Sequence, residues 1–295
     1  MTDAARLKEF IQGSSRLPVL PKVTIRLLNA LDAPDSSSKD IAEIIEAESS
    51  LTAKLLKLAN SSFYGQRGQI SKIHNAVVVL GSKTIRSLAL TVWTHTLRAQ
   101  ARDAEEMTMM IPLLAHGLAA GVAARLLAER ANKNLAEDAF MAGLLHDIGR
   151  VALVAQMGCD YQIQILDPAR HEILPLHEKE AALLGFDHRD LGAALMASWA
   201  LPPFLAEAVE KHHDKAIVPE NQLIVAAVAL ADSVATDLGF NLALDIPRPG
   251  QKEIADFFGL PDQEAIIGFQ EMCMSRFQTI SSAMDSAPTE RNSSA

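Results

Sequence analysis

The chain has 295 residues, 49% of them hydrophobic and 21% charged, which is ample apolar material for a core. Its 36 acidic residues outnumber its 27 basic ones for a formal net charge of −9, which argues against a nucleic-acid binder, because phosphate contacts need a surplus of Lys and Arg. Only two cysteines, Cys159 and Cys273, are present, excluding a disulfide framework or a cysteine-based zinc site; with no apolar centre to a signal peptide in Met1-Thr2-Asp3-Ala4-Ala5-Arg6, a reduced, cytoplasmic protein is expected.

From the N-terminus, Pro18 and Pro21 bracket a short turn before a helix that starts near Lys22. In Ile41-Ala42-Glu43-Ile44-Ile45-Glu46-Ala47 the apolar residues recur three and four apart, which predicts an amphipathic helix, with Ser38 as its expected cap and Lys39 and Asp40 in its first turn. Residues 51–59 repeat the pattern. Asn60-Ser61-Ser62-Phe63-Tyr64-Gly65, with Gly68, reads as a loop, and Phe63 and Tyr64 serve either as core plugs, the favoured reading, or as anchors for a partner. Val77-Val78-Val79 runs into Leu80-Gly81, which looks like a helix ending at a glycine rather than a strand.

Residues 85–93, 118–127 and 223–234 are again helical in period, and the polar stretch 100–106 marks a domain boundary. Met107, Met109 and Met110 beside it suit adaptable packing. The longest apolar run, 223–231, ends at Asp232 and is too short to span a bilayer, so no membrane partner is expected. Pro247-Arg248-Pro249-Gly250 is irregular, and the Ser-, Pro- and Asn-rich tail, 286–295, reads as disordered. Aromatic content of 5% and abundant Ala and Leu point to an all-α fold packed through small residues, in two helical parts, 1–100 and 101–285. Trp93 and Trp199 are read as core.

The chemistry concentrates in the histidines. His146-Asp147 ends the apolar segment Phe140-Met141-Ala142-Gly143-Leu144-Leu145, where a polar pair is costly without a partner. A divalent ion bound by both would compensate the carboxylate charge, although taken alone the pair is equally well a helix cap or a hydrogen-bonded couple. His116 lies at the start of an otherwise apolar helix, His188 just before a helix carrying Leu191 and Leu195, His212-His213 near a helix end, and Asp232 interrupts the most apolar run. Each has a bland reading singly; seven in this order are harder to treat as separate accidents.

That order, His116, His146-Asp147, His188, His212-His213 and Asp232, resembles the HD superfamily of metal-dependent phosphohydrolases over about residues 110–240. The first third resembles the HDOD (HD-related output domain) type, through Leu17-Pro18-Val19-Leu20-Pro21, Ile41 to Ile45, Asn60 to Gly65, Ile73-His74-Asn75-Ala76-Val77 and Leu80-Gly81. The resemblance implies an HD-like helical core with an additional N-terminal helical subdomain. It implies that His116, His146, Asp147 and Asp232 hold a first ion, and that His188, His212 and His213 complete a second site bridged by Asp147. One or two divalent transition-metal ions (Fe, Mn, Zn or Ni) would suit such ligands.

Departures limit the inference. The Gly-Tyr-Pro signature of relatives that hydrolyse a cyclic dinucleotide is absent after His146-Asp147, Arg150 replaces the usual lysine, and Pro112 stands where three-metal relatives carry Glu. Arg150 keeps a charge that can bind phosphate, and with Asp147 it is the candidate catalytic pair. The resemblance therefore implies a signalling module that binds a signalling protein or a small phosphorylated ligand. The alternatives are an active metal-dependent phosphohydrolase and a metal-free helical scaffold.

Overall fold

The structure, a computed structural model, describes residues 3–64, 70–240 and 250–285. The irregular segment at Pro247-Arg248-Pro249, Gly65 and Gly68 of the loop, and the tail 286–295 lie outside the described residues. The helices, in chain order, are α1 (Asp3–Gly13), α2 (Lys22–Asp32), α3 (Ser38–Glu46), α4 (Ser49–Ala59), α5 (Ile73–Leu97), α6 (Ala104–Ala131), α7 (Ala136–Leu145) and α8 (Ile148–Met157). They continue with α9 (Cys159–Tyr161), α10 (Asp167–Glu172), α11 (Leu176–Leu184), α12 (His188–Ser198), α13 (Pro203–Lys211), α14 (Leu223–Asp237), α15 (Gln251–Phe257) and α16 (Gln263–Asp285). No strand occurs among the described residues, and the fold is all-α as the periodicity requires. The chain divides into two compact units, one of Met1–Val19 with Thr96–Met274, the other of Leu20–His95 with Ser275–Ala295.

In the smaller unit, Leu27, Ile45, Leu55, Leu58, Ile85 and Leu88 are fully buried, each contributing about 1.5–3 kcal/mol by leaving water. The cap of α3 is Ser37, not Ser38: its hydroxyl accepts the Asp40 backbone N–H, and the Asp40 carboxylate accepts the Ser37 N–H, a reciprocal capping box. The Asn60 side chain closes the loop after α4 by bonding both backbone groups of Ile70, at 2.7 and 2.8 Å. Phe63 is buried, as a core plug should be, while Tyr64, edge-on to it, is only half-buried. Gly81 does end a helical run: at φ 79° and ψ 167° it breaks α5 internally, and a second run resumes directly after it.

In the larger unit, α6 packs against α7 and α14, and α12 against α8 and α13. Small residues make these crossings close. A Cβ on Gly143 of α7 would lie 2.7 Å from the Ala120 carbonyl oxygen of α6, and one on Gly149 of α8 would fall 1.9 Å from the carbonyl oxygen of His188. Arg16 secures the N-terminal segment, donating to the carbonyl oxygens of Ala155 (2.6 Å) and Gln100 (2.8 Å) and to both oxygens of buried Glu106 (3.1 Å each). Two stretches, Ile73–Gln100 and Ala104–Ala131, are long and apolar enough to cross a bilayer by length and composition, yet two-thirds of each one's most apolar window is buried within the protein, as in core helices. Trp93 is buried and Trp199, at the end of α12, is half-buried.

Candidate metal centre

The close crossings bring one reactive group from each of several helices to a single point in the larger unit. His116 projects from the middle of α6, not from a helix start, and Asp232 from α14. His146 and Asp147 form the two-residue elbow between α7 and α8. His188 is the first residue of α12, placed there by the Asp187–Asp190 capping box. His212 caps the C-terminal end of α13, with His213 next to it. His146, His188 and His212 are wholly buried, and His116, Asp147 and Asp232 nearly so.

Four of the five imidazoles, those of His116, His146, His188 and His212, are oriented by Nδ1. His116 Nδ1 bonds the carbonyl oxygen of Phe240 (2.5 Å), His146 Nδ1 that of Gly143 (2.7 Å), and His212 Nδ1 that of Val209 (2.7 Å). A carbonyl only accepts, so each Nδ1 carries the proton and each Nε2 is left to face the cluster. His188 Nδ1 donates to the Glu180 carboxylate at 2.6 Å. Around Asp147, Oδ2 lies 3.5 Å from His146 Nε2 and 3.8 Å from His116 Nε2, while Oδ1 lies 3.4 Å from His188 Nε2 and 3.8 Å from His212 Nε2. Asp232 Oδ1 sits 3.0 Å from His116 Nε2 and 3.8 Å from His146 Nε2.

These residues fit a metal ion. His116 Nε2 and His146 Nε2 stand 3.3 Å apart, an approach of two lone pairs that a proton or a metal ion between them relieves. Asp147 Oδ1 and His188 Nε2 are buried with no hydrogen-bond partner among the described residues, although buried polar atoms are rarely left so. Three sets can hold an ion, each with donor atoms within 4.8 Å of one another: His116, His146 and Asp147; His146, His212 and Asp232; and His188, His212 and His213. All seven ligands named by the sequence pattern fall in these sets.

Burial works against the Asp147 carboxylate, but Arg150, His146 and His188 overcome it and hold its pKa far below the usual range. Burial likewise opposes charging of His146, yet Asp147 and Asp232 raise its pKa; burial and the neighbouring His146 drive that of His212 well down. The pKa values of these two imidazoles are thus shifted in opposite directions within one cluster.

Arg150 faces this cluster. Its Nη1 donates to Asp147 Oδ2 at 2.7 Å and its Nη2 lies 3.4 Å from His213 Nε2. Three contributing residues were not visible in the sequence pattern. Glu180, fully buried, accepts His188 Nδ1–H and the His188 backbone N–H on one oxygen and the Tyr161 hydroxyl on the other. Tyr161 is itself fully buried. His177 stacks on His213, with ring centroids 4.7 Å apart. Leu176 and Glu180 are the buried residues of α11; their i, i+4 spacing is the one sequence signal that could have exposed Glu180.

By fold and site this is an all-helical protein with a buried His/Asp cluster of a kind that can hold a metal ion. The HDOD domain profile matches residues 17–215, and the chain belongs to the HDOD domain family. The match includes every site histidine and Asp147 but stops short of Asp232.

An HDOD domain protein of unknown function from Geobacter sulfurreducens shares the architecture at TM-score 0.75 and 26% identity, over 95% of this chain and 97% of that one. A Shewanella amazonensis SB2B protein, provisionally called a metal-dependent phosphohydrolase, superposes at TM-score 0.66 and 22% identity over 93% and 97% of the two chains, which shows the fold alone. An uncharacterised Treponema pallidum (strain Nichols) protein is 24% identical over 264 residues, 89% of this chain; the chain spans 50% of that relative's length.

Proposed function

We propose that this chain is a cytoplasmic HDOD signalling module whose larger unit is organised around a divalent transition-metal ion, and that it acts by binding a signalling protein or a small phosphorylated ligand rather than by turnover. The observation that carries this reading is the burial of the donors. An open catalytic metal site keeps a position for water and substrate, whereas His146, His188 and His212 are wholly enclosed, and the partly exposed groups at the margin, Arg150 and His213, face each other. His116, His146, Asp147 and Asp232 would hold the ion, with His188 and His212 as further imidazoles. Two free cysteines are compatible with a reducing compartment, and the acidic balance disfavours nucleic acid.

A second reading, a metal-dependent phosphohydrolase, is favoured by the completeness of the donor set. A bound ion would then supply Lewis acidity and an ionised water, Asp147 would orient it, and Arg150 would meet a phosphate oxygen. The test is a phosphodiesterase assay on bis(p-nitrophenyl) phosphate with Mn²⁺ or Fe²⁺, beside elemental analysis. Bound metal without turnover is expected. Turnover abolished by His146→Ala and by Asp147→Ala would replace the first reading with the second; no bound metal after reconstitution would sink both.

A further inference from the structure

Helix α1 packs on the larger unit without burying a residue. Leu7, Phe10 and Ile11, spaced three and four apart, are half-buried on one face, and Lys8, Glu9 and Gln12 are exposed on the other. A helix of 11 residues is marginal in water by itself, so α1 persists through its docking. Its seat is the corner Gly185-Phe186-Asp187 between α11 and α12. The Phe10 ring lies 5.2 Å from that of buried Phe186. Arg6 lies against Gly185, where a Cβ would meet its Cδ at 2.5 Å and its Nη1 at 2.6 Å.

The inner side of the same corner belongs to the metal centre. Phe186 is followed at once by Asp187, whose carboxylate caps α12, and by His188, the first residue of α12. Glu180, on α11 just before the corner, accepts the His188 backbone N–H at 2.9 Å and its Nδ1–H at 2.6 Å. The corner is thus held from outside by α1 and from inside by His188. His188 Nε2 and Asp147 Oδ1 are buried without hydrogen-bond partners among the described residues, so the inner hold is completed by an ion that satisfies both. Arg16 ties the far end of α1 to Glu106 and to the carbonyl oxygens of Ala155 and Gln100. Bending at Ser14-Ser15, outside the helix, therefore lets α1 lift from the corner while it stays attached.

We propose that α1 is a strap whose docking on the Gly185–Asp187 corner is coupled to occupancy of the metal centre, so that an ordered α1 reports metal loading at the surface. This deepens the metal-binding reading above and rests on it. An ion that fixes His188 also fixes the corner on which Phe10 sits. By linkage, a docked α1 raises the affinity of the centre for its ion by the same factor. A module whose donors are enclosed gains in this way a surface element that carries the state of the site.

The test is hydrogen–deuterium exchange over residues 3–13 of the chelator-stripped full chain, with and without Zn²⁺, together with Zn²⁺ titration of Phe10→Ala. Asp147→Ala is the blank for ions bound elsewhere. In wild type, Zn²⁺ is expected to slow exchange of the α1 amides about tenfold, within the usual span for coupled sites, and to have no such effect in Asp147→Ala. Phe10→Ala is expected to weaken Zn²⁺ binding by a similar factor, and Glu9→Ala, on the exposed face, to leave it unchanged. Unchanged α1 exchange in zinc-loaded wild type overturns the inference and leaves the metal-binding reading intact. So does slowed exchange with full Zn²⁺ affinity in Phe10→Ala, because global stabilisation slows exchange without that reciprocity. Equal losses of affinity in Phe10→Ala and Glu9→Ala overturn the role given to the docked face. No site-specific Zn²⁺ in wild type removes the metal-binding reading itself, and the inference with it.

Discussion

Removing the Glu180 carboxylate should destabilise the larger unit even without metal. Glu180 and Tyr161 are wholly buried, and the one carboxylate satisfies three donors: the Tyr161 hydroxyl at 2.7 Å, the His188 backbone N–H at 2.9 Å and His188 Nδ1–H at 2.6 Å. Burial would raise its pKa, but His188, Arg150 and the Tyr161 hydroxyl outweigh burial and hold it below 4.5, so it is ionised at neutral pH. Glu180→Ala strands all three donors and removes a counter-charge of Arg150. Each stranded donor costs about 1–3 kcal/mol; the three share one acceptor and do not add, so the loss should be about 3–5 kcal/mol, typical of breaking a buried charged pair. Glu180→Gln keeps one acceptor oxygen but turns an amide N–H₂ toward a donor, and should cost about 1–2 kcal/mol. The assay is urea unfolding of the chelator-stripped proteins. Because His188 loses the group that orients its ring, metal affinity should also fall by about 10–100-fold in Glu180→Ala, read by Zn²⁺ titration. A loss under about 1 kcal/mol, with unchanged affinity, would refute the orienting role.

Adding Zn²⁺ at about a thousandfold excess over its dissociation constant should stabilise the stripped protein by about 4 kcal/mol. Asp147→Ala should abolish that rise in a thermal melt; an equal rise in both proteins would place the ion elsewhere. Glu106 tests pH linkage: burial would raise its pKa, but hydrogen bonds from Arg16 and Arg102 lower it below its ordinary 4.5. A folded-state pKa below the unfolded one contributes stability that is present above about pH 4.5 and lost as pH falls through the folded value. Glu106→Gln should therefore cost about 1–3 kcal/mol at pH 7, and its deficit against wild type should shrink on acidification below pH 4; a pH-independent gap would contradict the linkage. Gly143→Ala should cost at least about 1–3 kcal/mol, because its Cβ would meet the Ala120 carbonyl oxygen at 2.7 Å and Gly121 Cα at 2.9 Å, both backbone. A variant that melts like wild type would mean that the α6–α7 crossing is not close.

What the sequence disclosed follows from where each residue sits. His146, Asp147, His188 and His212 stand at helix ends, where period and cap signals change together, and Asp232 is a lone charge in an apolar run. The helix boundary before Ile41 was misplaced by one residue because Ser36, Ser37 and Ser38 are all capable caps; only the reciprocal bond to Asp40, three residues after Ser37, selects among them. Glu180 and Tyr161 escaped because their meaning is tertiary. A glutamate within Leu176–Leu184 looks like a solvated helix position until the start of α11 fixes which face is buried. His116 looks like the start of an apolar helix because Gly117 to Val122 after it are apolar or small, yet α6 begins at Ala104 and runs through Pro112.

The same placement explains how a cluster this costly can exist before any ion arrives. Backbone contacts set the crossings of α6 with α7 and of α8 with the start of α12: Gly143 against Ala120, and Gly149 against His188. Neither contact involves an Nε2 or a carboxylate. Of the five imidazoles, those of His116, His146 and His212 are held by carbonyl groups of the chain and that of His188 by Glu180. The scaffold therefore fixes the donors, and the cost of bringing them together is met by helix packing elsewhere in the unit. Buried Asp147 Oδ1 and His188 Nε2, left without hydrogen-bond partners among the described residues, are the part of that cost packing does not offset. An ion that satisfied both would return it as binding free energy. Metal affinity and metal-free stability should thus be separable: Gly143→Ala should lower the second, while Asp147→Ala should remove the first.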